Sequence, residues 1–223
     1  IQDLDHGKVV HRHISESGFA LTVFVASSLV DMYVQCGKLT DAYDVFERTT
    51  DRNVVLWNAM IAGYAQHGYM HDANRLFQCM HRDGIHPNKE TWNAIISGWA
   101  INGQGDKACE CYEQMQLQGI SANPYISSSI LKACGNIGSM NIAEKIHVEV
   151  ARKGLLQRDL FIGTTLVDAY SKCGSLAKAK EVFDMLPIRN NVTWSTLISG
   201  YSQLGDMENA IFTFERMINE GGQ

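Results

Sequence analysis

The chain has 223 residues, of which 45% are hydrophobic and 19% are charged, and its formal net charge is −5. This composition is typical of a folded globular chain and excludes a disordered or low-complexity one. Since no apolar run approaches the roughly 20 residues that cross a bilayer, we expect no membrane contact. The net negative charge argues against a nucleic-acid binder that depends on electrostatic attraction.

Amphipathic helical patterns follow one another along the whole chain. The chain begins at Ile1 without a visible targeting segment, so we expect a fragment or a processed form, in which residues 1–22 are the second helix of a hairpin. Each further unit has two amphipathic helices, and these units span residues 23–53, 54–88, 89–123, 124–159, 160–190 and 191–223. We take the last unit as truncated at Gln223.

A recurring small residue and a recurring glycine set the register of these units. The small residue stands early in each second helix, at Ala42, Ala73, Ala108, Ala143, Ala179 and Ala210. The glycine stands between the two helices, at Gly37, Gly68, Gly103, Gly138, Gly174 and Gly205. Such a glycine suits a short turn with positive φ.

Each helix carries one apolar stripe, which a single hairpin cannot bury alone. The predicted fold class is therefore all-α, a right-handed α-solenoid of stacked helix–turn–helix (αα-hairpin) repeats, with residues 1–223 as one array. The large aromatic side chains predicted for its core are Phe46, Trp57, Phe77, Phe183 and Phe214.

Residue patterns of catalysis and metal binding are weak. The chain has 6 cysteines but no C-x-x-C pair, which favours reduced thiols packed on helical faces. His147-Val148-Glu149 matches the H-x-E of zinc deaminases, but the required C-x-x-C does not follow. There is no glycine-rich phosphate loop and no G-x-S-x-G. We predict that this segment is not an enzyme and has no catalytic residue, no metal site and no cofactor.

Two families of helical hairpin repeats are compatible with this pattern. The tetratricopeptide repeat binds proteins and has units of about 34 residues with the pattern W-x₂-L-G-x₂-Y. In this chain Asn or Ser follows the tryptophan, and unit length alternates among 31, 35 and 36 residues. The segments VVLWNAMIAGYAQHG, FIGTTLVDAYSKCGSLAKAKEVFDMLP and SSILKACGNIGSMNIAEKIHVEVARKGL resemble P-, S- and L-type units of the plant PLS subclass of the pentatricopeptide repeat family.

By this resemblance residues 1–22 are a partial L unit, 23–53 and 160–190 are S units, and 124–159 is an L unit. Residues 54–88 form a P unit and 191–223 a truncated one. Residues 89–123 are only P-like, so the order departs there from strict P-L-S triplets.

The resemblance implies that one repeat reads one base of single-stranded RNA. The base would be contacted by a polar residue early in the first helix together with the last residue of the same unit. These pairs are Ser27 with Asn53, Asn58 with Asn88, Asn93 with Asn123, Ser128 with Asp159, and Thr164 with Asn190, while Ser195 lacks a partner. The family's pairing rules imply the target 5′-A-Y-Y-G-A-3′, with the N-terminus toward the 5′ end.

The last residue of each unit has an alternative role. Asn or Asp directly before a helix is a good N-cap, worth about 1 kcal/mol. Capping accounts for all five last residues but less well for Asn58 and Asn93, because asparagine is a poor helix former. The same residues are able to do both.

The family also wedges the second residue of each unit between bases. The residues that suit this role are Phe24, Val55, Tyr125, Phe161 and Val192. Glu90 has the same place, but its carboxylate repels RNA. For Phe24 and Phe161 the alternative is packing in the core. Lys172 alone matches the family's phosphate-binding lysine, so we expect RNA binding with a shallow salt dependence.

The implied function is sequence-specific RNA binding, as the targeting segment of an organellar RNA-processing factor that edits cytidine to uridine. The resemblance places such a protein in the mitochondrion or chloroplast, with editing-complex accessory proteins as further partners and any deaminase domain in a C-terminal extension. The alternative function is a protein-binding helical scaffold without RNA specificity. In either case the apolar end faces favour end-to-end self-association.

Overall fold

The structure, a computed structural model, describes residues 4, 7–9, 11–13 and 22–221. The described residues before Thr22 are helical, and the rest of the predicted partial unit lies outside the described part. Residues 22–221 form helices and turns without a strand. None of the helices in the described ranges combines the length and the apolar character needed to span a membrane.

The helices pair into hairpins. Their bounds are α1 Val23–Gln35, α2 Leu39–Arg48, α3 Val54–Gln66, α4 Met70–Arg82, α5 Lys89–Ile101, α6 Gly105–Leu117, α7 Pro124–Ile137, α8 Met140–Arg152, α9 Leu160–Lys172, α10 Leu176–Met185, α11 Asn191–Gln203 and α12 Met207–Gly221. A short 3₁₀ helix, Leu155–Gln157, follows α8. The first helix of every hairpin begins at the first residue of a unit read from the sequence.

The turns inside the hairpins have the predicted geometry. The glycine that follows each first helix has a positive φ, between 69° at Gly37 and 83° at Gly68. Residues other than glycine rarely adopt this backbone conformation. The prediction of a positive-φ glycine in the turn is thereby confirmed.

The alternation of unit length arises at the end of the second helix. Helices α2 and α10 have 10 residues, whereas α4 and α8 have 13. In the two short units an arginine caps the shortened helix: Arg52 Nε donates to the Phe46 carbonyl at 3.0 Å, and Arg189 Nε donates to the Phe183 carbonyl at 2.9 Å. The longer α4 is followed by Gly84, whose φ is 75°.

The chain divides into two compact units. The N-terminal unit contains residues 1–102 and 117–120, and the C-terminal unit contains residues 103–116 and 121–223. In the N-terminal unit α3 packs against α1 and α5, and in the C-terminal unit α9 packs against α7 and α11. In both units the first helices of consecutive hairpins therefore lie side by side. A single array over residues 1–223 stays a prediction.

An aromatic contact between consecutive hairpins recurs in the core. A phenylalanine of a second helix meets the tryptophan of the next first helix edge to face, with ring centroids 4.7–4.9 Å apart. The pairs are Phe46 with Trp57, Phe77 with Trp92, and Phe183 with Trp194. Such pairs add about 0.5–1.5 kcal/mol beyond the area they bury.

The prediction that Phe214 belongs to the core is wrong, because its side chain is 51% exposed. Phe214 has on α12 the place that Phe183 has on α10, but no described helix follows α12 to supply a tryptophan. Met207, Ile211 and Ile218 extend this exposed apolar face. End-to-end self-association through such a face stays a prediction.

The cysteines are free thiols, as the sequence indicated. Cys109 and Cys134 are buried, with their sulfur atoms 3.9 Å apart. Within the described ranges no group of histidine, cysteine or acidic side chains is arranged to hold a metal ion.

Candidate nucleic-acid interface

The residue before the first helix caps that helix in five hairpins. The side chains of Asn53, Asn88, Asn123, Asp159 and Asn190 each accept a hydrogen bond from a backbone N–H of the first turn, at 2.8–3.3 Å. The capping interpretation is confirmed for all five. Since the oxygen already accepts a backbone hydrogen bond, the side-chain NH₂ of each asparagine is the group whose full hydrogen-bonding capacity remains for a ligand.

Asn58 and Asn88, which the sequence paired across a whole unit, are joined directly. Asn58 Nδ2 donates to Asn88 Oδ1 at 3.0 Å. The backbone N–H of Thr91 donates to the same oxygen at 3.0 Å, which fixes the orientation of the Asn88 amide. The Thr91 hydroxyl lies 2.6 Å from Asn58 Oδ1 and 2.9 Å from Asn88 Oδ1, and it accepts from the Asn88 backbone N–H.

Thr164 and Asn190 are joined through a third residue. The hydroxyl of Thr164 lies 3.0 Å from that of Thr193, which donates to Asn190 Oδ1 at 3.0 Å. Thr193 stands three residues after its N-cap, as Thr91 does after Asn88. Both threonines are fully buried. The two predicted pairs are thus held together by a buried hydroxyl from the next first helix.

These linking threonines were not among the predicted site residues. The sequence pattern that would have found them is Asn-x-x-Thr, present in Asn88–Thr91 and in Asn190–Thr193. At Asn88–Thr91 the pattern forms a capping box, in which the third helical residue bonds back to the cap. The pattern is present in the sequence, but the contact of each threonine with Asn58 or Thr164 of the preceding repeat depends on how the hairpins stack.

The other predicted base-reading residues have local partners. Ser27 and Ser195 donate to the carbonyls of the helix residues four before them, at 2.8 and 2.6 Å. Asn93 accepts from the Ser97 hydroxyl at 3.3 Å. Asn93 belongs to the N-terminal unit, whereas Asn123 belongs to the C-terminal one.

Ser128 requires a correction. It was predicted to read a base together with Asp159, but it is only 4% exposed and its Oγ is buried without a described hydrogen-bond partner. Thr164, at the same place of its helix, is half-buried. In this conformation the Ser128 hydroxyl cannot meet a base edge, and the guanine preference of this unit loses its basis.

The predicted wedge residues lie on the surface. Their exposed fractions are 83% for Phe24, 56% for Val55, 61% for Tyr125, 58% for Phe161 and 62% for Val192. Packing in the core, the alternative for Phe24 and Phe161, is therefore excluded. The second residue of these five units is thus a large apolar side chain that is accessible to a ligand.

Two of these wedge residues line one cleft of the C-terminal unit. The cleft has a volume of about 380 Å³ and contains Phe161 and Val192 together with Thr164 and Asn190. Apolar side chains and a hydrogen-bonding pair thus meet in one space, formed between α9 and α11. This arrangement is able to stack a flat ring and to bond its edge.

Lys172, predicted to bind phosphate, forms an ion pair. Its Nζ lies 2.8 Å from Asp168 Oδ2, one helical turn earlier. Asp31 has the place of Asp168 on α1, and burial raises the pKa of its carboxyl. The face that carries the wedge residues therefore includes acidic groups that the prediction of an RNA surface did not foresee.

Comparison with known proteins identifies the repeats. A model described as "PPR repeat family" matches residues 52–92, and the model "PPR repeat" matches residues 24–54, 90–120, 164–190 and 192–222. A chloroplastic pentatricopeptide repeat-containing protein of Arabidopsis thaliana is 31% identical over 98% of the chain. A mitochondrial one from the same plant is 32% identical over 97%. The chain spans 30% and 18% of the lengths of these relatives.

Among solved structures, the pentatricopeptide repeat protein PPR10 from maize superposes with a TM-score of 0.68 at 20% identity, covering 90% of this chain and 30% of PPR10. PPR10 in complex with an 18-nt psaJ RNA element gives a TM-score of 0.54 at 19% identity, covering 97% of this chain and 38% of that one. This likeness confirms the all-α fold class of stacked helical hairpins. The chain belongs to the pentatricopeptide repeat family.

Proposed function

We propose that the chain binds single-stranded RNA in a sequence-specific manner, with about one base for each repeat. The observation that carries the proposal is the cleft between α9 and α11, in which Phe161 and Val192 accompany Thr164 and Asn190. A base inserted there would stack on the phenylalanine ring and bond to the amide and hydroxyl groups. PPR10, whose fold this chain shares, was crystallised with an 18-nt RNA.

The network around Asn58 supports a pyrimidine at the repeat of residues 54–88. Asn88 Oδ1 and both groups of the Asn58 amide are engaged within the protein. The hydrogens that remain, two on Asn88 Nδ2 and one on Asn58 Nδ2, are donors. Uracil and cytosine both offer ring-carbonyl oxygens to such donors, whereas the Watson–Crick edge of adenine offers a single acceptor.

The proposed target follows from the family's pairing rules. Ser27 with Asn53 and Thr164 with Asn190 would prefer adenine, and the two asparagine pairs would prefer pyrimidines. Because Ser128 is buried, we leave the base of its unit unspecified. The target becomes 5′-A-Y-Y-N-A-3′, where N is any base.

The wider role of the chain follows from its resemblance to P-, S- and L-type units. It would serve as the targeting segment of an organellar RNA-processing factor of the PLS type, for cytidine-to-uridine editing with accessory proteins. Support for an organelle comes from relatives whose names are chloroplastic or mitochondrial. We assign no chemical step to these repeats, so the reaction itself would belong to another part or partner.

The test is a titration of the protein into 5′-labelled RNA, followed by fluorescence anisotropy. One RNA contains 5′-ACUGA-3′ within a fixed unstructured sequence, and a second contains the same bases in scrambled order. We expect tighter binding to the first. Equal binding to both would overturn sequence-specific reading, and it is the outcome that a protein-binding scaffold predicts.

A sharper test is Asn58→Ser, which recreates the pair Ser27 with Asn53. The preference at that nucleotide should change from pyrimidine toward adenine, with a discrimination of about 1–3 kcal/mol, or roughly 5- to 150-fold in Kd. Asn74→Ser on α4 is the matched control, because Asn74 lies on the second helix of the same hairpin. If Asn58→Ser only lowers the melting temperature, Asn58 is structural.

A further inference from the structure

Two neighbouring clefts in the C-terminal unit differ in their charged side chains. The first, of about 380 Å³, is the cleft of Phe161 and Val192, and Lys132 and Asp168 also line it. The second, of about 390 Å³, is lined by Asp168 and Lys172 together with serine and amide side chains. Asp168, Val192 and Thr196 belong to both. Each cleft therefore has one lysine, while the two share one carboxylate.

Lys172 is a poor anion-binding group in this setting. Its ammonium lies 2.8 Å from the Asp168 carboxylate, so the two charges form a neutral pair. A phosphate that approached Lys172 would also be repelled by the Asp168 carboxylate, which reduces the attraction of the ammonium. The stem of Lys172 also lies against α7, since its Cδ would be 3.1 Å from a Cβ placed on Gly135.

Lys132 lines the same cleft as Asp168 but forms no ion pair with it. It is exposed on α7, and it forms none of the ion pairs found in the described residues. Its contact is with Phe161, whose ring centroid lies 5.3 Å from the ammonium. A cation–π contact at an exposed site is weak and uses none of the three N–H donors in a hydrogen bond. The group is therefore held at the cleft yet able to bind an anion.

We propose that Lys132, and not Lys172, binds the backbone phosphate of the nucleotide whose base occupies the first cleft. This inference rests on the proposed function. The two ammonium groups and one carboxylate of the clefts leave one positive charge, and Lys132 supplies it. The phosphate would then lie beside Lys132, on the face of the Phe161 ring that the ammonium covers. Thr164 and Asn190 would contact the base.

The experiment compares Lys132→Met and the double variant Lys172→Met/Asp168→Asn with wild-type protein, using the target and scrambled RNAs at several salt concentrations. Lys180→Met on α10 is the control for the loss of one positive charge, because Lys180 is exposed on a second helix. Unfolding midpoints of all variants are measured in parallel. For Lys132→Met we expect the slope of log Kd against log salt to fall by about 0.7, with binding weakened roughly fivefold at 0.1 M salt.

The loss at Lys132 should be equal for both RNAs, because a phosphate contact carries no base information. Lys180→Met should keep the wild-type slope, and so should the double variant Lys172→Met/Asp168→Asn, which removes the neutral pair as a whole. The inference is overturned if the double variant lowers the slope, if Lys132→Met leaves it unchanged, or if the loss depends on the base. Wild-type binding without base preference would overturn the proposed sequence specificity alone, since the salt slopes still report on Lys132.

Discussion

Asn58 Nδ2 donates to Asn88 Oδ1 at 3.0 Å, across 30 residues of sequence. Asn88 is at the same time the N-cap of the following first helix. The side chain of Asn88, which caps α5, therefore also orients Asn58 on α3, the residue proposed to read the base of the preceding repeat. Fold stability and base preference share one network of hydrogen bonds, so a change in it should alter both.

The first prediction concerns Thr91, whose buried hydroxyl connects the two asparagines. Thr91→Val keeps the shape but leaves the Asn88 backbone N–H without its acceptor and frees Asn58 Oδ1. We expect a loss of about 1–3 kcal/mol in the free energy of unfolding. Discrimination at the nucleotide of residues 54–88 should fall as well. Urea unfolding and RNA titration measure the two effects.

The control is Thr165→Val, because Thr165 is also buried but its hydroxyl donates only to the Phe161 carbonyl of its own helix, at 2.8 Å. A bond of this kind adds little to helix stability, so Thr165→Val should be nearly neutral. Equal losses in the free energy of unfolding for the two variants would mean that the network of Asn58, Asn88 and Thr91 stabilises the fold no more than a hydrogen bond within one helix.

The second prediction concerns the close approach of neighbouring first helices at Gly63. A Cβ at this position would lie 2.5 and 2.9 Å from the two methyl groups of Val34. Gly63→Ala gains about 1 kcal/mol in helix propensity, but overpacking typically costs about 1–3 kcal/mol. Because Val34 is buried and stiff at χ1, we expect a net loss, seen as a lower melting temperature.

Gly135→Ala provides the comparison for that substitution. Its added Cβ would lie 3.1 and 3.3 Å from Lys172 Cδ and Cβ and 3.4 Å from the Cα of Ala169, which are milder overlaps than those at Gly63. We expect Gly135→Ala to cost less stability than Gly63→Ala. If Gly63→Ala lowered the melting temperature no more than Gly135→Ala, packing at Val34 would be looser than the structure indicates.

The third prediction concerns pH. Burial lowers the pKa of His147 below its ordinary value of 6.5, and Lys178 also lowers it while Glu181 opposes. The unfolded chain therefore binds a proton more readily than the folded one. Stability should be constant above about pH 7 and should fall as the pH drops through 6.5 toward the folded pKa. Urea midpoints measured between pH 8 and pH 5 report this change.

His147→Gln should flatten part of this pH dependence while keeping a partner for the Tyr170 hydroxyl, which lies 3.0 Å from His147 Nδ1. Burial also lowers the pKa of His11, so part of the loss of stability at low pH should remain in this variant. An unchanged pH profile in His147→Gln would show that another group causes the loss of stability.

Much of the fold was predictable because local residues mark where each helix of the repeat begins and ends. An Asn or Asp directly before an apolar stripe predicted where α3, α5, α7, α9 and α11 begin, since these side chains satisfy N–H groups that a helix leaves free. The turn glycines were predictable for a similar local reason.

What failed depends on neighbours that no local pattern records. The burial of Ser128 and the exposure of Phe214 follow from which helices pack beside them. The i, i+4 spacing of Asp168 and Lys172 is compatible with an ion pair, but the spacing alone does not decide between that pair and a lysine directed at a ligand. The role of Thr91 required knowledge of the stacking between hairpins.

The contact of a phenylalanine with the next tryptophan also gives the array a direction. The hairpin of residues 54–88 receives Phe46 of its predecessor through Trp57 and offers Phe77 to Trp92 of its successor, so its two sides are not interchangeable. This hairpin is in effect a cassette: excising residues 54–88 would set Phe46 opposite Trp92 and keep the same kind of contact. On the proposed function, losing or duplicating a cassette would shorten or lengthen the RNA target by one whole nucleotide without redesigning the core.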